Sequence, residues 1–259
     1  MMLKIFLLFK TQTLKTEMEY TVNFWMMIFS GIIMRGLIMA VVFVLFRNIP
    51  DIAGWQEGEI YLLLGFIIIT EGINSMLFDG IWFIPSWVFR GGFDVMISRP
   101  VSPLFQVLSQ EIGLHGIGTT IIGAISISLG LVMMGWFNPL SIILCLFFVF
   151  AGTVLRMSYN LITLSHAFWI HGGLANVGFL VHSVGEFARY PITIYPGWMR
   201  FILLFIIPAG FIGFVPVMIL RGDNVLLYGF GLIVMTSLYF LLARTVFYRG
   251  IKRYESIGM

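Results

Sequence analysis

Charge is the scarcest property of this chain. Only 10% of its 259 residues are Asp, Glu, Lys or Arg, while 59% are apolar or aromatic. Soluble domains carry roughly 25% charged and about 45–50% apolar residues. A water-soluble fold of this length could not hide so much apolar surface, so a soluble enzyme or a nucleic-acid-binding module is excluded. Cysteine is nearly absent too. The single Cys145 lies in an apolar run, can form no internal disulfide, and leaves the redox compartment unread. His115, His166, His171 and His182 show neither H-x-x-x-H nor H-E-x-x-H spacing, which argues against a metal set. No G-x-x-x-x-G-K-[ST] occurs, so the chain itself has no loop to cradle nucleotide phosphates. No G-x-S-x-G and no paired intramembrane acids occur either, which makes hydrolase chemistry in this chain unexpected.

What is present is a succession of long apolar runs. Each bilayer crossing needs roughly 20 such residues at about 1.5 Å rise apiece. Runs at 24–46, 60–79, 112–134, 140–164 and 225–243 meet that length, and a further one lies between 172 and 220. The expectation is an all-α membrane protein of six transmembrane helices, forming one domain over residues 1–259. The apolar stretch at 5–9 is too short for a signal peptide, so the N-terminus is expected to be retained. Residues 1–20, with Lys4, Lys10 and Lys15 among apolar side chains, read as an interfacial amphipathic helix whose lysines face lipid headgroups. Five glycines between Gly113 and Gly130 permit close helix approach. Sixteen methionines and twenty-six phenylalanines are adaptable lining material for an apolar path, or ordinary packing surface.

The basic residues set an orientation. With both termini in the cytosol, Lys4, Lys10, Lys15, Arg90, Arg99, Arg244, Arg249, Lys252 and Arg253 lie inside, and Arg47, Arg189, Arg200 and Arg221 outside. Residues 172–220 admit two readings. Either 201–220 is the fifth span, or 172–187 is, and 201–220 forms a re-entrant element broken by Pro208 and Pro216.

Charges within spans are expensive. Arg35 and Glu71 fall midway along adjacent, oppositely directed runs and are expected to pair or to line a polar cavity. A purely structural ion pair is the simpler account. Arg156 and Glu111 could form a second pair near the inner face, or Arg156 could snorkel. His166 and His171 belong at the inner interface.

Three stretches carry a family resemblance. RGGFDVMISRPVSPLFQ at 90–106 resembles the signature loop of bacterial ABC-2-type transporter permeases. YPITIYPGWMR at 190–200, followed by Pro208, resembles the segment before their last span, and YRGIKRYES at 248–256 their C-terminal box. The resemblance implies a permease subunit of a type V-like ABC exporter in the bacterial cytoplasmic membrane, carrying an amphipathic or hydrophobic substrate. It implies a cytosolic coupling helix within 80–106, with Trp87, Phe89, Arg90, Gly91, Gly92, Phe93, Asp94, Arg99 and Pro100 meeting an ATPase. It implies a re-entrant outer gate over 189–221, involving Tyr190, Pro191, Tyr195, Pro196 and Pro208, and so selects the second reading of that region. It further implies two copies of a separate ATPase, which would bind ATP and Mg, and a second permease, identical or different. The chain itself would bind no cofactor; its remaining partners are membrane lipids, with no nucleic acid. Two rivals differ in consequence. An ion-driven secondary transporter would show inverted-repeat halves, of which there is no convincing sign. A membrane scaffold or immunity protein would need no ATPase.

Overall fold

The computed structural model describes residues 2–49, 51–169 and 183–255. The fold is all-α, and the described residues contain no strand beyond one isolated bridge, Ile52 to Trp55. The helices are α1 (Met2–Glu19), α2 (Thr21–Asn48), α3 (Glu57–Phe78), α4 (Ile84–Phe89), α5 (Gly92–Ser98), α6 (Pro103–Gln110), α7 (His115–Met133) and α8 (Pro139–Ser165). After them come α9 (Gly197–Phe201), α10 (Ala209–Ile212), α11 (Phe214–Arg221) and α12 (Val225–Ile251). Among the described residues, five helices are long and apolar enough to cross a membrane: α2, α3, α7, α8 and α12. The proposed fifth span at 172–187, with His171 and His182, lies largely outside the described residues.

Local chemistry sets the boundaries. At the start of α3, the Gln56 side chain accepts from the backbone of Glu59, and the Glu59 carboxylate returns the bond to the Gln56 amide at 2.9 Å. Asn138 caps α8 by accepting from the Ser141 amide at 2.9 Å, and Pro139 occupies the first turn, where its missing donor costs nothing. The last helix outruns its expected end at 243 and continues to Ile251. Arg244 and Arg249 therefore belong to the helix rather than to a loose tail. Arginine is a good helix former and suits the negative end of the helix dipole.

α3 is the buried axis of the bundle. Its Leu62, Leu63, Phe66 and Ile68 are sealed against Phe148 and Leu155 of α8, Val215 and Val217 of α11, and Leu232 of α12. α7 lies against α3 at glycine-only distance. A Cβ on Gly123 would sit 2.5 Å from the Ile69 backbone nitrogen, and one on Gly118 would sit 2.2 Å from the Ile28 carbonyl of α2. The glycines of 113–130 thus serve the close approach expected of them.

One end of the bundle gathers both chain ends. α1 runs beside α6, with Thr13 donating to the Gln110 carbonyl at 2.9 Å and Phe6 meeting Phe105 edge to face. There too Phe93 of α5 sits among Phe168, Phe247 and Tyr254, ring centroids 5.0–6.3 Å away. At the opposite, distal end, Trp55 packs on Phe214 and Arg221 bonds Glu59 at 2.6 Å.

Candidate functional site

Polar groups collect along one face of α3. Asn74 and Ser75 follow Glu71 by three and four residues, and Asp79 follows Ser75 by four, just past the end of α3, so they share a face. Opposite them stand Arg35 on α2, His115 on α7, and Arg156 and Asn160 on α8. Glu71 is the hub. It forms an ion pair with Arg35, as the sequence predicts, and its second oxygen lies 3.9 Å from Arg189. Arg189 also pairs with Glu186 one turn before it. Arg189, expected on the outer side, thus sends its guanidinium toward the Glu71 carboxylate.

The expected Arg156–Glu111 pair does not form, and Arg156 does not snorkel. Its guanidinium is buried and donates to the Ile67 carbonyl at 3.1 Å, while its Nε has no partner among the described residues. Glu71 and Glu186 are the carboxylates whose field reaches it. Glu111 lies elsewhere, where its backbone carbonyl accepts from Lys10. Lys10 is consequently buried rather than facing headgroups, a second correction. Burial pushes its ammonium down to about 8, against the pull of Asp79 and Glu111. Burial, with Asp79 nearby, also pushes the Glu111 carboxyl up.

Between the α3 stripe and α8 lies a cavity of about 280 Å³. Ser75 donates to Asp79 at 3.0 Å and meets His115 Nε2 at 2.9 Å. Asn74 spends both amide protons on the carbonyls of Thr70 and Thr153, which leaves its oxygen buried without a partner. Trp82 and His115 stand exposed at the edge. A second cavity, of about 290 Å³ and mostly apolar, separates the distal halves of α2 and α3 from Arg189, Tyr190, Pro191 and Ile194.

The region 80–106 is not one helix but a 3-10 turn, Asp79–Phe83, followed by α4, α5 and α6. Gly91 takes φ +74°, the left-handed turn that reverses the chain between α4 and α5. The predicted coupling residues divide in two. Phe89, Arg90, Asp94, Arg99 and Pro100 are exposed, joined by the unforeseen Val95 and Ile97. Phe93 is fully buried, Trp87 and Gly92 partly so, and they hold the loop to the bundle; Trp87 meets Phe93 edge to face.

The segment from Thr193 to Arg221 leaves and returns to the distal end. Trp55 Nε1 donates to Thr193 Oγ1 at 3.1 Å, and Arg221 reaches Glu59. Between them the chain runs as α9, a wide π turn Ile202–Ile206, an extended Ile207, Pro208, α10 and α11. The break frees carbonyls, and the Tyr239 hydroxyl of α12 meets those of Phe205 and Ile206 at 2.8 and 2.9 Å. Pro191 and Pro208 are buried, Tyr195 is half-buried with its hydroxyl on the Phe187 carbonyl, and Tyr190 and Pro196 are exposed. Arg200 fastens the approach by donating to the carbonyls of Thr193 and Tyr195.

Sequence reasoning missed Asn74 and Asp79, although their spacing from Glu71 announces one helix face. It also missed Tyr239, which no sequence pattern marks.

A family model described as ABC-2 family transporter protein matches residues 17–258. No curated protein and no solved structure matches the chain.

Proposed function

The chain belongs to the ABC-2 family of transporter proteins, and on that premise we propose that it is the permease subunit of an ATP-driven exporter, docking two copies of a separate ATPase beside a second permease. In this reading it sits in the bacterial cytoplasmic membrane with both termini in the cytosol. ATP and Mg belong to the partner, since the chain has no phosphate-cradling motif. The observation that carries the reading is the exposed face of α4 and α5, where Phe89, Arg90, Val95, Ile97 and Arg99 stand free of the bundle. Apolar side chains ringed by arginine suit a protein partner.

The geometry supplies a route for movement. A displacement of α5 acts on Phe93, which bears on Phe168 after α8 and on Phe247 of α12. α12 in turn holds the broken hairpin through Tyr239. Closure of the ATPase pair would thus pull on a gate held at the middle of one long helix, an alternating-access motion. The substrate is amphipathic or hydrophobic in this account, matching the mostly apolar cavity beside Tyr190 and Pro191.

Capture from gently solubilised native membranes, read by mass spectrometry, tests the proposal. A soluble ATPase should co-purify and be lost on Arg90→Glu with Arg99→Glu. Absence of any ATPase, with the rest of the complex intact, would favour an ion-driven transporter instead.

A further inference from the structure

We infer that the cavity between α3 and α8 is a binding site for a zwitterionic head group, one bearing an ammonium and a phosphate or carboxylate. Its two walls have opposite character. The α3 wall offers Glu71, Asn74 and Asp79, all acceptors; the α8 wall offers Arg156 and Asn160. Both walls have unmet demands. Among the described residues, the buried Asn74 oxygen and one buried Glu71 oxygen have no hydrogen-bond donor, and the buried Arg156 Nε has no acceptor. Asn74 and Arg156 are each at least nine-tenths buried.

A simple anion would satisfy Arg156 but would meet Glu71 and Asp79 at close range. A simple cation would satisfy the α3 wall and leave Arg156 unmet. A ligand with both signs, a few ångströms apart, answers the two walls together. Glu71 is partly answered by Arg35 and Arg189, and Asp79 feels Lys10 and His115, so the α3 wall is moderately rather than strongly anionic. That balance favours a net-neutral ligand. The volume of about 280 Å³ holds a head group rather than a whole lipid. That this ligand is cargo rests on the exporter reading; its binding does not.

The purified chain in detergent, without any ATPase, is titrated with dihexanoyl phosphatidylethanolamine, and melting temperature is followed. A saturable rise is expected, weaker for the equal-chain phosphatidylglycerol and for a single-charge alkylammonium. Asp79→Asn and Asn160→Leu should each weaken binding about tenfold or more. Arg156→Gln is the harsher variant; the other two report if it fails to fold. Water-soluble glycerophosphoethanolamine separates the sources: binding equal to the lipid's identifies a free zwitterion, and no binding identifies a membrane lipid. Equal responses to all three lipidic probes, no saturable response, or wild-type binding in both milder variants would overturn the assignment. None of these results bears on ATPase capture, so the two proposals fail separately.

Discussion

Glu71 answers two arginines from different parts of the chain, and this shared role predicts an asymmetric mutational response. Glu71→Met leaves Arg35 and Arg189 without their common partner, whereas Arg35→Met still leaves Glu71 beside Arg189. Breaking a buried pair from one side costs about 3–5 kcal/mol. Thermal denaturation in detergent should therefore rank Glu71→Met below Arg35→Met, with the double variant losing less than the two single losses combined. Strict additivity would mean that the two charges do not interact. Lys10 makes a different prediction, in pH. Its folded value of about 8 lies below the ordinary 10.5. Between these limits the folded protein has shed a proton that the unfolded chain still holds, so stability rises with pH across the window. Wild type should gain on Lys10→Met between pH 8 and 10.5, and parallel melting curves would contradict this. Arg35 with Glu71 was legible because two charges at matching depth have few other options. Arg156 was not, since sequence position alone does not say which helix its guanidinium will cross.

The same contrast holds among the elements. Five apolar runs announced α2, α3, α7, α8 and α12 because each needs only length and hydropathy. The extra turns of α12, and the division of 80–106 into short helices, depend on tertiary partners such as Phe168 and Phe93 that no local window contains. Two substitutions test how the elements are held. Gly123→Ala would place a methyl 2.5 Å from the Ile69 nitrogen and force α7 from α3, costing about 1–3 kcal/mol. Gly229→Ala in α12, where a Cβ meets nothing within 4 Å, is the matched control and should be neutral or slightly stabilising. Tyr239→Phe removes the donor shared by two carbonyls at the helix break and should cost about 1–3 kcal/mol. Hydrogen exchange should then rise at 203–212 while α3 stays protected; unchanged exchange there would show that the break is capped otherwise.

At the scale of the molecule, both chain ends share one face of the bundle, and the hairpin shares the other with Trp55 and Glu59. The sole cysteine, Cys145, is buried and provides a silent background for labelling. Phe137→Cys should react from outside intact cells, and Arg253→Cys only after permeabilisation; the reverse pattern would invert the proposed orientation. Tyr239 has a further consequence, for biogenesis. A chain leaves the ribosome N-terminus first, so the broken segment around Pro208 is made before the residue that covers its freed carbonyls. Bare carbonyls are costly in hydrocarbon. Nascent chains halted short of residue 239 should therefore leave the hairpin at the membrane surface, open to added protease, and chains extended past α12 should draw it in. On the proposed reading, the hairpin enters the bilayer only when the helix carrying its capping hydroxyl arrives.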